Sequence, residues 1–209
     1  MLTMKVYKEQ VVFFFREGSS FKAYELSMAL YNQLKIVFKN SEPTVLPVPN
    51  DAPADVPRCV WNDYNTKLSY SFQSLNLTID IPSTHNWAKL VSELTTLISN
   101  AFSQCGLSID RIGVVVEANA DSDLHQLIKE SVSIPHFTCE TEANISWLDH
   151  EDKYNVWTYL NIDVSHEVNR IVYDVNNQTE YKLSEQGICV LDAVESALNI
   201  LKERVTNGI

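Results

Sequence analysis

The chain has 209 residues, of which 45% are hydrophobic and 21% charged. Such a globular mix buries roughly 70% of its extended-chain area without a metal or disulfide staple. The net charge of −11 sits entirely in residues 105–209, where eighteen Asp/Glu face seven Lys/Arg, while residues 1–104 carry nine of each. An acidic field repels phosphate, so the expected partners exclude nucleic acid and anionic membrane surfaces. No run approaches the ~20 apolar residues of a membrane helix.

Val11-Val12-Phe13-Phe14-Phe15 is a β-branched and aromatic run of strand length, ended by Glu17-Gly18. Between Phe21 and Phe38 the period changes. Leu30, Tyr31, Leu34, Val37 and Phe38 share one helical face, with Glu25, Gln33 and Lys35 elsewhere. Residues 43–57 hold five of the seven prolines, which predicts an extended connection or an edge, because proline cannot donate to a sheet ladder. Residues 58–61 and 67–72 then bracket a turn at 62–66, as in a hairpin. Leu75, Leu77, Ile79 and Ile81 alternate with Asn76, Thr78 and Asp80, the pattern of a half-buried strand.

Pro82-Ser83-Thr84 is expected to open a long helix with a hydroxyl cap. Trp87, Leu90, Val91, Leu94, Leu97, Ile98, Ala101 and Phe102 form its stripe, and Gly106 ends it. The order then repeats. A short strand at 112–116 precedes a helix near 123–131, followed by strands at 137–139, 145–148, 156–164 and 171–175. A final helix over 184–206 carries Leu191, Val194, Leu198, Leu201 and Val205 as a narrow stripe. The predicted fold is therefore α+β, a mainly antiparallel sheet with two or three long helices. It is expected as one domain over 1–209, whose halves 11–106 and 109–206 read either as a duplicated unit or as a common pattern met twice.

Ile109-Asp110-Arg111-Ile112-Gly113-Val114-Val115-Val116-Glu117-Ala118-Asn119 resembles a strand signature of an uncharacterised, sporadically distributed bacterial protein family. In that family a similar Arg-hydrophobic-Gly strand follows a long helix containing a Trp, here Trp87, and a C-terminal helix closes the domain. The resemblance implies no enzyme activity, and no cofactor is expected.

Chemistry-bearing patterns are few. Only five glycines occur, and none builds GxGxxG or GxxxxGK, so no phosphate cradle is encoded. Asp149-His150-Glu151-Asp152, with Asp163, His166 and Glu167, has metal-ligand types but no HExxH or paired spacing, so no metal is expected. Cys59, Cys105, Cys139 and Cys189 form no CxxC clip and read as reduced thiols. With Glu9, Gln10 and Glu17 breaking any leader-like run, the expected location is cytoplasmic. Cys139 and His136 point to opposite sides of an extended segment, which works against a dyad.

Trp157 and Tyr159 lie on the strand face opposite Leu160 and Ile162, an amphipathic patch if no helix covers it. The expected function is thus a soluble, non-catalytic interaction protein. Its site comprises Glu140, Glu142, Asp149, Glu151, Trp157 and Tyr159, docking a protein with a basic surface. A second copy of the chain, met through the C-terminal helix, is a further expected partner. The enzyme alternative is a small hydrolase built on Asp149, His150 and His166.

Overall fold

The computed structural model describes residues 4–49, 51–80, 86–120, 142–163 and 168–207. Nine strands form one sheet in the order β2-β3-β4-β5-β1-β6-β9-β8-β7, with each neighbouring pair antiparallel. The central pair is β1 (Met4–Phe15) and β6 (Ile109–Ala120). One wing holds β2 (Thr44–Val45), β3 (Cys59–Asp63), β4 (Thr66–Tyr70) and β5 (Ser74–Asp80). The other holds β7 (Glu142–Glu151), β8 (Tyr154–Asp163) and β9 (Val168–Asn177). The described helices are α1 (Ala23–Leu34), α2 (Trp87–Gln104), the single turn α3 (Leu183–Gln186) and α4 (Val190–Asn207). The protein is α+β with a large antiparallel sheet, as the alternating strands and the helical stripes predict.

Alternation decides which side of the sheet is dry. Val11, Phe13 and Phe15 of β1, Leu75, Leu77 and Ile79 of β5, and Ile112, Val114 and Val116 of β6 are all buried. So are Ile171, Tyr173 and Val175 of β9 and Val156, Leu160 and Ile162 of β8, which the strand register places on the same side. The stripes of α1 (Leu26, Leu30, Leu34), α2 (Val91, Leu94, Ile98, Phe102) and α4 (Val194, Leu198, Leu201) cover this side. Phe102 meets Phe13 edge-on at 5.5 Å, Ser27 of α1 bonds Tyr70 of β4 at 2.7 Å, and Tyr154 of β8 donates to the Ala193 carbonyl of α4. Each buried leucine is worth about 1.5–3 kcal/mol, so the helices and the sheet hold each other in place.

From the β1–β6 centre, the order outward is β5, β4, β3 on one side and β9, β8, β7 on the other. The outer hairpins β3–β4 and β7–β8 both turn through a non-glycine residue with positive φ, Tyr64 and Asp152. Such tight hairpin turns need that backbone region.

Several local expectations are corrected. The C-terminal helix is broken: Gly187 at φ 65° ends α3 in the left-handed region, and α4 starts at Val190. The α4 stripe packs against α2 and the sheet, so it is not left open for a second copy of the chain. Helix α2 is capped by Asn86, whose side chain accepts from the Lys89 amide at 3.3 Å. The expected cap at 82–84 and the helix near 123–131 lie outside the described residues, as do His136 and Cys139. Among the described residues, no helix is long and apolar enough to cross a membrane.

Candidate functional site

The described helices that pack on the sheet all do so from one side, so the outward residues of the same strands form a second face. Among the described residues no helix lies on it. Cross-strand register assembles that face into rows. One row runs Lys5, Asn119, Arg170, Asn161, Asn144. The next runs Asp80, Lys8, Glu117, Val172, Tyr159, Ser146. A third runs Lys67, Thr78, Gln10, Val115, Asp174, Trp157, Leu148. Beyond it come Asn76, Val12, Gly113, Asn176, Asn155 and His150.

The face has two notable properties. Its described side chains include five cations (Lys5, Lys8, Lys67, Arg111, Arg170) against three carboxylates (Asp80, Glu117, Asp174). It therefore runs against the −11 of the whole chain. β7 begins at Glu142 opposite Asp163, at the far end of the face, and their side chains are not among those described. The second property is its aromatic surface. Trp157 and Tyr159 stack at 6.0 Å and 16°, Tyr159 is 40% exposed and Phe14 36%, and Arg111 lies 5.3 Å over the Phe14 ring.

Electrostatics fix the middle of the face. Glu117 accepts from Tyr7 at 2.9 Å, Lys8 at 3.0 Å and Arg170 at 2.5 Å. Burial pushes the Glu117 carboxyl up, but the bonds from Lys8 and Tyr7 and the charges of Arg170 and Lys8 outweigh it. The net effect holds the carboxyl below its ordinary value. Asp174 behaves oppositely: burial raises it more than Asn176 and Arg111 lower it. Between β7, β8 and β9 lies an open hollow of about 400 Å³, lined by Asn144, Ser146, Tyr159, Asn161, Arg170 and Val172.

The residues expected to form one acidic docking site are divided. Asp149 and Glu151 point to the helix side, where Arg204 of α4 bonds Asp149 at 3.1 Å and Glu151 through two of its nitrogens. Arg204 thus offsets one of their two charges, and their side chains stay 40% and 35% exposed. Trp157 and Tyr159 are on the opposite face, and Glu140 lies outside the described residues. The hydrolase alternative is not assembled either. His150 is on the sheet's open side, bonded to Asn155 at 2.9 Å, while Asp149 faces α4. His166 lies outside the described residues. Among the described residues, no group of three or more His, Cys, Asp or Glu is placed to hold a metal.

The sequence reading missed Arg170, Lys8, Tyr7 and Arg111. Arg170, Lys8 and Arg111 occupy the polar phase of alternating strands and Tyr7 sits at the register shift between Val6 and Lys8, and only the register across strands brings them together.

No family model matches the chain, and no curated protein matches it. Among solved structures it is similar to a rolling circle replication initiator protein from Geobacillus stearothermophilus. The two share 13% identity over 94% of this chain and 80% of that one, with a TM-score of 0.37. The expectations of a non-catalytic protein-docking role and of the exclusion of nucleic acid are withdrawn on the structure itself, which splits the expected acidic site and pairs Asp149 and Glu151 with Arg204. The physical reason is in the sheet: a net charge summed over the chain does not describe a face on which cations outnumber carboxylates among the described side chains.

Proposed function

We propose that the face of the sheet on which no described helix lies binds single-stranded nucleic acid. The observation that carries the reading is the pairing of two stacked rings, the half-buried Trp157 and the exposed Tyr159, with the cations Arg170, Arg111, Lys8 and Lys67 on one face of the sheet. Single-strand binders combine these two elements, an aromatic platform for bases and a basic track for phosphates. Amide side chains surround them, with Asn at positions 76, 119, 144, 155, 161 and 176, a residue type that bonds both donors and acceptors on base edges. The acidic residues of the helices, such as Glu93, Glu195 and Glu203, are exposed on the other side. A helix is about 10–12 Å across, and the screening length at physiological salt is about 8 Å, so their repulsion is largely damped at the sheet face.

The test is anisotropy of a labelled oligonucleotide of about 12 residues, within the ~4–16 nucleotide span of comparable modules. Binding is expected to weaken with salt, at a log–log slope of about −2 to −3.5 for three to five neutralised phosphates. Trp157→Ala is expected to cost about 1–3 kcal/mol. Equal binding by Trp157→Ala, a preference for duplex, or retention on a neutral oligosaccharide matrix in place of the oligonucleotide refutes the reading.

A further inference from the structure

The rows of the sheet fix where a third ring can go. Along β8, residues 157, 159 and 161 project from the same side, each about 6.5–7 Å from the next. Trp157 stacks on one side of Tyr159, and the hollow lies on the other, its walls set by Asn161, Asn144, Arg170, Ser146 and Val172. At about 400 Å³ it falls at the small end of the ~300–1,000 Å³ typical of ligand pockets.

We propose that this hollow seats one nucleobase as the third ring of the Trp157–Tyr159 stack, with the neighbouring phosphate on Arg170; this rests on the single-strand reading above. Arg170 gives one guanidinium nitrogen to Glu117, and its side chain remains 47% exposed. A guanidinium held from one side in this way presents its remaining N–H groups in a fixed orientation, which suits a phosphate. The same row leads across Asn119 to Lys5, two strands or about 9.5 Å away, so the backbone has a second cation along its path. Val172, opposite Tyr159 on the neighbouring strand, gives the hollow an apolar floor for the base.

The experiment uses the full chain and an oligonucleotide carrying one 2-aminopurine, whose emission falls when it stacks. Wild type is expected to quench that emission at least about two-fold on binding, in line with base–aromatic stacking. Tyr159→Ala removes the platform and Ser146→Leu fills the hollow from the adjoining strand; both positions are exposed, so both variants are expected to fold. Loss of the quench in both, with oligonucleotide affinity lowered about 5- to 150-fold in Tyr159→Ala, supports the seat. An anisotropy rise without quenching in wild type overturns it while leaving the single-strand reading standing, as does quenching that survives in Ser146→Leu. No anisotropy rise at all overturns both.

Discussion

Replacing Glu9 with leucine should make the protein more stable, and increasingly so as the pH rises. Glu9 lies on the helix side of β1, between Ile79 of β5 and Val116 of β6, and is 1% exposed. Neither carboxyl oxygen has a hydrogen-bond partner among the described residues. Burial pushes its carboxyl well above the ordinary value, and the Lys202 charge on α4 offsets this only in part. The folded chain therefore keeps a proton that the unfolded chain releases. Stability is unaffected below the ordinary glutamate value and falls by about 1.4 kcal/mol per pH unit above it, until the raised folded value is passed. Leucine removes that slope and the desolvated, unsatisfied carboxyl, itself a cost of about 1–3 kcal/mol. The gain should be about 1–3 kcal/mol near the ordinary value and grow by about 1.4 kcal/mol with each further unit. In a chain of this size each kcal/mol moves Tm by about 2–4 °C. Urea unfolding followed by circular dichroism from about pH 5 to about pH 8 measures it, with Glu9→Gln isolating the proton from the polarity. Parallel stability curves for wild type and Glu9→Leu refute the reasoning.

Two further substitutions test separate parts of the structure. Glu117→Gln removes the anion that gathers Tyr7, Lys8 and Arg170, so it should cost about 1–3 kcal/mol of stability while tightening oligonucleotide binding, because two cations lose their counter-charge. Because the Glu117 carboxyl is held low, its contribution is present above the ordinary glutamate value and disappears as pH falls through the lowered one; the variant's deficit should vanish there. Gly187→Ala forces a Cβ into φ 65° with no atom within 4 Å, a pure backbone cost of about 1–2 kcal/mol and a Tm lower by about 2–8 °C. A rise in Tm would mean that the helix runs on through this residue.

The strands were legible wherever alternation was strict. Leu75, Leu77 and Ile79 against Asn76, Thr78 and Asp80 gave both β5 and its two faces. The α2 stripe was equally clear, since eight apolar residues keep helical spacing across it. β6 reads as five residues because Asp110, Arg111, Glu117 and Asn119 interrupt the apolar run; in the sheet Arg111, Glu117 and Asn119 share the side away from the helices, Asp110 is buried at a register shift, and the strand spans Ile109–Ala120. The break at Gly187 was missed because the apolar period of the final helix gives no sign of where it starts. The site was the least legible part. Asp149 and Glu151 look like surface charge until Arg204, 53 residues away from Glu151, closes on them. Lys8, Glu117 and Arg170 meet only through the pairings β1–β6 and β6–β9, and such long-range register leaves no local trace.

The central claim is that one face, not the total charge, decides what the protein binds. A charge-matched pair of variants tests it most directly. Arg111→Glu with Arg170→Glu changes the open sheet face, and Lys89→Glu with Lys202→Glu changes the helix side by the same amount. Oligonucleotide anisotropy between about 50 and 200 mM salt should show binding lost in the sheet-face variant and retained, within a few-fold, in the helix-side variant. Equal losses in the two would show that only net charge matters and contradict the assignment of the face.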